Sequence, residues 1–484
     1  MAQPVQHLRG GLVLPANKRA ATAEPSAIAP LPARLLLPLI GSGGIRMEPC
    51  VGEGALVDGG TEVARAEGAW LPLLAPSSGR ILGVEDHPVP HPSGLAGPCL
   101  VLETDGEDRC IRFPSLPADA DPVLIVERAR AAAIPGLGGA AFPAWRKIAA
   151  GRDGSGIDTL IINGAECEPY ISCDDVLMRE RATDVIAGAR LLLHAVGARR
   201  VLIAIEDDKP EALAAMRAAA QGIEVVSLPT RYPEGGERQL IQVLTGREVP
   251  AGGRPAQIGV LCHNVGTAAA LADAMLRGIP LLTRMVTVTG GAVTAPRNLV
   301  ARIGTPVRAL IDAAGGYRGA PERLIVGGPL MGYTLSDDSA PISAATNCII
   351  AAAPGELATR DVERACIRCG DCAEVCPASL QPQQLQWVVR SRELDVAERL
   401  HVMDCIECGC CDLVCPSHIP LTDHFRFAKQ EIALRREERS RSDLARQRFE
   451  SREQRLRRQA AERAAKLAEK RAARGIGKAG GEDR

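Results

Sequence analysis

Aromatic side chains are scarce in this sequence, at 2% of 484 residues. Their scarcity removes the stacking platforms on which proteins hold single-stranded nucleic acid. Net charge is scarce too, at −1, so no overall field favours nucleic acid. Long apolar runs are also missing. The patch Leu35–Ile40 is short and flanked by proline, far from the roughly 18 apolar residues that a membrane-spanning helix needs. The opening MAQPVQHLRGGLVLPANKR has neither the basic-then-apolar order nor the small-residue cleavage site of a secretory signal.

Cysteine, by contrast, is plentiful. There are sixteen, and nine of them lie between Cys366 and Cys415. A disulfide framework would spread its cysteines through a small secreted chain. Clustered thiols in a chain with no secretory pattern read as metal ligands in a reducing cytoplasm. The length implies about three domains.

Residues 1–45 are rich in Pro and Ala and read as extended. Residues 46–115 carry short β-like stretches split by Gly and Pro, which predicts a small β-domain. From about 120 to 280 strand and helix patterns alternate. VLIAIEDD (201–208) precedes helical KPEALAAMRAAA, and IGVLCHNVG (258–266) precedes TAAALADAML. That alternation implies α/β layers around a largely parallel sheet. Residues 284–345 return to short strands around one helix, PVRALIDAAGG, and the cysteine motifs come next, between helical stretches in 355–430. Beyond about 428 the sequence is a charged helix candidate with Arg in excess and no core stripe. It reads as a solvated helix or disordered tail held by i,i+4 pairs. The sharper reading is a basic segment that docks on an anionic membrane surface or an acidic partner.

Two motifs carry the strongest chemistry. Cys366-Ile-Arg-Cys369-Gly-Asp-Cys372-Ala-Glu-Val-Cys376-Pro and Cys405-Ile-Glu-Cys408-Gly-Cys-Cys411-Asp-Leu-Val-Cys415-Pro both match C-x2-C-x2-C-x3-C-P. This is the run of bacterial two-cluster ferredoxins, in which the fourth cysteine ligates the other cluster. The spacing therefore assigns Cys366, Cys369, Cys372 and Cys415 to one [4Fe–4S] centre. Cys405, Cys408, Cys411 and Cys376 form the other. Structural zinc is the competing reading, but four-cysteine zinc sites use two separated C-x2-C pairs. Cys410 is out of register and reads as a free thiol, and the remaining cysteines read as buried small hydrophobes.

Some 350 residues precede these motifs, so a donor or acceptor site is expected there. Gly136-Leu-Gly138-Gly139-Ala-Ala-Phe-Pro formally satisfies a dinucleotide fingerprint, yet helical ERARAAAIP precedes it where a strand should stand. A glycine loop whose N–H groups approach a phosphate is the reading that survives, against a plain surface turn.

GLGGAAFPAWRK (136–147) resembles the flavin loop GRGGAGFP…K of the FMN-binding, NADH-oxidising subunit of respiratory complex I. IINGAECEPYISCDD (161–175) resembles the NADEGEP segment there, and more closely the NGAECEPY form of the RnfC family, the C-subunits of Rnf ion-translocating complexes. YPEGGERQLI (232–241) and HNVGTA (263–268) complete an Rnf-like set. The segment APSSGRILGV resembles biotinyl/lipoyl-type barrel-sandwich domains without their hairpin lysine, which makes that domain structural or docking.

The resemblance, covering 1–430, implies a multidomain α/β chain. Its expected parts are a barrel-sandwich-like β-domain with its extended lead (1–115), an FMN/NADH-binding α/β domain (116–280) and a β-grasp-like, SLBB-type module (281–350). A helical double-[4Fe–4S] ferredoxin-like domain (351–430) and a charged tail (431–484) complete the chain. The resemblance makes Gly136, Gly138 and Gly139 the phosphate-loop glycines for FMN and Lys147 the cation near flavin and NADH. Asn163 and Glu166 become flavin and nicotinamide contacts, Glu237 an acidic contact, and Asn264 and Thr267 polar contacts to FMN. No side chain is assigned as catalytic. Ala141 replaces the usual Gly, Ala165 the complex I aspartate, and His263 stands where Gln is common. The implied activity is electron passage between NADH, FMN and two [4Fe–4S] clusters. The implied partners are other subunits of a membrane-bound Rnf-type complex, with the chain peripheral on the cytoplasmic face of the inner membrane. Two alternatives are a soluble flavin/iron–sulfur cobalamin reductase and a non-enzymatic two-cluster relay. Membrane co-fractionation discriminates the first, and absence of bound flavin the second.

Overall fold

The structure is a computed structural model describing residues 6–41, 44–66, 70–152, 156–358 and 362–476. Two compact units are present. One comprises Met1–Gln383 with Asp404–Thr422, the other Gln384–Met403 with Asp423–Arg484.

In the first unit, apolar residues at alternating strand positions, Leu35 and Leu37, Leu100 and Leu102, turn to one side and are buried. With Val63 and Ile81 they form a core shared by two four-stranded sheets. Arg34–Pro38, Ala96–Thr104, Gly79–Pro88 and Leu56–Val57 make the first sheet; Ile40–Gly41, Ile45–Pro49, Glu62–Ala66 and Leu73–Leu74 make the second. Every pairing in both is antiparallel.

The next sheet is all parallel, with strands Thr159–Gly164, Arg200–Glu206, Glu224–Leu228 and Val260–Asn264. Continuous apolar runs such as Leu160–Ile162 and Val201–Ile205 suit strands covered on both faces. The spatial order runs third, second, first, fourth. Strand order therefore reverses between the first and fourth strands, and ligands of open α/β sheets bind outside the carboxyl ends at such a point. Helices Ala182–Val196 and Val265–Ala272 cover one face. They approach so closely that a Cβ on Gly188 would lie 1.8 Å from the Ala268 carbonyl oxygen. Only glycine fits there.

A six-stranded mixed sheet comes after it. Thr283–Thr289 pairs antiparallel with Arg297–Arg302 and parallel with Cys348–Ala352, which continues to Arg323–Val326 and Tyr333–Leu335. Helix Val307–Ala313 packs Leu310 and Ile311 onto it. The sixth strand is Ala27–Ile28, parallel to Arg297–Arg302. Residues 6–28, the extended lead of the β-domain, thus form a strap outside its two sheets. Leu8 enters the core beneath the parallel sheet, the Gly11 amide bonds the Val375 carbonyl, and the Ala16 carbonyl accepts from the Tyr170 amide.

In the second unit Leu385, Val389, Leu394, Ala397, Val402, Phe425, Ala428 and Ile432 are buried. The last three lie at the start of a 56-residue helix, Leu421–Ile476. From 433 to 472 every side chain of that helix is exposed. The expected ferredoxin-like domain is divided: the cysteine-bearing segments belong to the first unit and the connecting residues 384–403 to the second. No helix among the described residues is long and apolar enough to cross a membrane.

Lys209 is an internal test of this packing. Its Nζ lies 2.9 Å from Glu206 and 2.6 Å from Asp208, with Lys209 and Glu206 at most 1% exposed. Removing one partner of a buried pair leaves an uncompensated charge, at a cost of about 3–5 kcal/mol. Lys209→Met is expected to lose that much, read as a lower midpoint of urea unfolding.

Candidate functional site

The carboxyl ends of the first and fourth parallel strands bring Asn163 and Asn264 side by side, as register partners. Each side chain organises the turn that leaves its strand. Asn163 Nδ2 donates to the Gly235 carbonyl at 2.8 Å and its Oδ1 accepts from the Ala165 amide at 3.1 Å. Asn264 Oδ1 caps the helix Val265–Ala272 through the Gly266 amide at 2.8 Å, and its Nδ2 donates to Asp174 at 2.5 Å.

The glycine loop reaches this edge from the end of helix Pro122–Ala131, so it is not a strand-to-helix turn. Its base is closed by the Gly136 amide on the Phe142 carbonyl (2.7 Å). Thr267, 1% exposed, accepts from the Leu137 amide at 2.9 Å and faces the Pro135 carbonyl at 3.4 Å. Both contacts run to the loop, so Thr267 shapes the loop. Arg284, also buried, donates to the Leu137 carbonyl at 2.7 Å and to the Thr346 carbonyl at 3.1 Å. Gly138 lies against Asn264, 3.5 Å from where a Cβ would sit, whereas nothing lies within 4 Å of the same position at Gly139. Ala141 holds φ +49, a conformation that costs an L side chain about 1–2 kcal/mol. That cost accounts for glycine being usual there.

Glu166 has φ +51 and its carboxylate accepts from the Asp174 (2.7 Å) and Asp175 (3.1 Å) amides, capping helix Cys173–Glu180. Burial pushes its pKa up to about 7, against the opposing pull of Lys18. The Lys18 amine, itself buried, donates to the Glu166 carbonyl. Glu166, Cys173 and Asp174 bring ligand-type atoms within 4.8 Å of one another. Their surroundings already hold Lys18, Lys209 and Arg284, so the cluster is compensated by protein cations.

Lys147 forms an ion pair with Glu237. Next to them His263 is 4% exposed, its Nε2 without a protein partner among the described residues. Burial, then Lys147, pushes the imidazole down to about 3, so it is neutral. A cleft of about 1050 Å³ opens on the other side of the loop, lined by Gly138–Ala141, Trp70, Glu168, Met331 and Tyr333. Glu168 fastens its far wall by accepting from the Leu330 (2.9 Å) and Met331 (2.8 Å) amides.

The two cysteine segments repeat one backbone conformation. Positive φ recurs at Arg368 and Glu407, at Gly370 and Gly409, and at Ser379 and His418. Their short helices, Asp371–Glu374 and Cys410–Leu413, pack on each other. The thiols acting on Cys372 are Cys369, Cys415 and Cys366. Cys376 feels Cys408, and Cys411 feels Cys408 and Cys405. The fourth cysteine of each motif thus interacts with the other motif, Cys415 with Cys372 and Cys376 with Cys408. Cys410 is fully buried against Tyr232 and Cys408. Tyr232 donates to the Cys408 carbonyl at 2.6 Å.

Sequence reasoning passed over Lys18, Arg284 and Tyr232. Tyr232 opens the YPEGGERQLI motif, but nothing local marks the other two. They act on residues more than a hundred positions away.

A phosphate-type loop at a topological switch point, in one compact unit with paired C-x2-C-x2-C-x3-C-P segments, defines a flavin and iron–sulfur protein. Comparison with known proteins agrees module by module. Residues 6–107 match the RnfC barrel sandwich hybrid domain, 129–273 the Nuo51 FMN-binding domain, 285–334 the SLBB domain and 365–419 the 4Fe-4S dicluster domain. Three similar proteins are each named as the C-subunit of an ion-translocating oxidoreductase complex. The protein from Pseudomonas aeruginosa is 49% identical over 94% of this chain and 59% of its own length. That from Klebsiella pneumoniae is 45% identical over 95% and 62%. That from Salmonella gallinarum is 45% identical over 95% and 68%. The chain belongs to this family, the C-subunits of ion-translocating oxidoreductase complexes, and spans about three fifths of the length of the first two of these relatives. An NAD+-reducing [NiFe]-hydrogenase structure is a looser likeness, 20% identical over 61% of this chain and 60% of that one, with a TM-score of 0.47.

Glu234 lies two residues after Tyr232 and is 2% exposed, with Oε2 unpartnered among the described residues. Burial, then Glu206, pushes it up to about 7. A carboxyl raised in the fold favours the folded state while protonated, and that advantage is lost as pH rises from 4.5 through about 7. Glu234→Gln is therefore expected to stabilise by about 3 kcal/mol at pH 8 and by little near pH 4.5, measured by urea unfolding at both.

Proposed function

We propose that this chain is the peripheral electron-input subunit of a membrane-bound ion-translocating electron transport complex, passing electrons between NADH, FMN and two [4Fe–4S] clusters. The carrying observation is the turn Tyr232–Gly236. On one side its Gly235 carbonyl is held by Asn163 at the switch point. On the other, Tyr232 bonds the backbone of Cys408. One five-residue turn thus touches both the flavin motif and a cluster motif.

The residues present fit both groups. The eight motif cysteines are in no disulfide, and the influence of Cys415 on Cys372 and of Cys408 on Cys376 supports the crossed sharing that two-cluster ferredoxins use. Open space at Gly139 and the cleft lined by Gly138–Ala141 fit a ligand on the glycine loop. Flavin accepts electrons from a nicotinamide as a pair and releases them singly, and iron–sulfur clusters carry them one at a time.

Within that chemistry, Gly138 and Gly139 would offer backbone N–H groups to the phosphate; the Gly136 amide, expected to do the same, instead closes the base of the loop on the Phe142 carbonyl. Thr267 and Arg284 hold the loop in shape. Lys147 would supply positive charge beside the flavin, with Glu237 setting its position. Asn163 and Asn264 fix the strand ends, and Glu166 anchors the turn that carries Ala165. Cys405, Cys408, Cys411 and Cys376 would hold one cluster, and Tyr232 ties Cys408 of that set to the flavin domain. Cys366, Cys369, Cys372 and Cys415 would hold the other, and the exposed Cys369 and Ile367 make that segment the side open to the next carrier, a subunit of the same complex on the cytoplasmic face of the inner membrane. The relatives' name supports membership of such a complex.

Anaerobic titration with NADH, followed by flavin absorbance and EPR, tests the reading. Flavin bleaching with reduced [4Fe–4S] signals is expected. Signals that appear with dithionite but never with NADH, even after added FMN, would refute it. Cys369→Ser should halve bound iron and leave flavin bleaching by NADH intact, measured by iron assay and absorbance.

A further inference from the structure

The helix Leu421–Ile476 buries no side chain from 433 to 472, yet its sequence repeats every eleven residues over that stretch. Leu434, Ala445, Leu456 and Leu467 occupy one position of the repeat, and Arg441, Arg452 and Arg463 another. Phe449 lies one helical turn beyond Ala445. Eleven residues complete three turns and about 20° more, so the apolar positions run along one nearly straight line. The arginines, seven residues further on, fall within about 20° of that line. The result is a narrow row of apolar side chains interleaved with arginines, roughly 50 Å long. All of it is exposed: Leu434 55%, Phe449 67%, Leu456 52% and Leu467 53%. From Arg435 to Arg471 basic residues outnumber acidic ones two to one.

We propose that this helix face binds an anionic phospholipid surface directly. A helix lying in the interface seats Leu and Phe at the acyl boundary while arginines reach phosphates beside them. A straight row suits a flat surface, and the basic excess is complementary to anionic headgroups. A second copy is disfavoured, because pairing this face with itself would bring like-charged arginine rows together. Glu437 pairs with Arg441 of the row, and Glu453 and Glu462 pair with Arg457 and Arg458 outside it; with basic residues at twice the acidic count, excess positive charge remains for the lipid.

Sedimentation of the full chain with vesicles tests this. Vesicles of phosphatidylglycerol and phosphatidylcholine in equal parts should pellet the chain at low salt, and phosphatidylcholine alone should not. The triple variant Arg441→Gln/Arg452→Gln/Arg463→Gln should bind on the order of a hundredfold more weakly. Phe449→Ser/Leu456→Ser should lose at least roughly tenfold through the apolar row. Circular dichroism checks that these exposed substitutions leave helicity unchanged. Failure to pellet with anionic vesicles, or variants that bind like the parent, would overturn the proposal. So would lipid-free dimerisation abolished by Phe449→Ser in sedimentation velocity, which would assign the face to a second copy.

Discussion

The buried amine of Lys18 is the interaction on which the flavin-type site depends. Glu166, Glu168, Asp174 and Glu206 are all raised by burial, and Lys18 offsets each of them. Buried carboxylates without a cation would cost several kcal/mol apiece. The cation arrives on an N-terminal strap that also enters the core beneath the parallel sheet and adds a strand to the mixed sheet. Electrostatic compensation and backbone pairing therefore fasten the strap together. The site is assembled from both ends of a long stretch of chain.

Topology then decides where chemistry is placed. Reversal of strand order sets two asparagines beside each other and leaves a crevice at the sheet edge. The glycine loop enters that crevice from a helix, and Thr267 and Arg284 pin it there. Arg284 belongs to the mixed sheet, so the module that looks like an accessory holds the loop in place. The turn Tyr232–Gly236 extends the same framework to Cys408. Rigid bonds on both sides of that turn keep the flavin-type shelf and the nearer cysteine group at fixed separation.

The cysteine segments show a different economy. Both repeat the same left-handed positions, and each lends its last cysteine to the other. This exchange makes the two loops one object. The two groups differ in exposure at one position: Cys369 faces solvent while its counterpart Cys408 is buried.

Cluster spacing, the strand–helix alternation of 201–277 and the exposed charged tail were determined by the sequence alone, because each depends on residues a few positions apart. Ligand loops need cysteines at three-residue intervals, and secondary structure obeys a local period. The glycine loop was legible as a phosphate-type turn for the same reason. Tertiary structure decided the rest. It carried the lead residues 6–28 to the mixed sheet, split 351–430 between two units and turned Thr267 and Glu166 toward the protein's own backbone. It also recruited Lys18 and Arg284, whose partners lie 148 and 147 residues away. Compensation of buried charge and satisfaction of buried carbonyls are demands of the packed interior. They are met by whichever residue the fold brings near, and no local pattern marks that residue in advance.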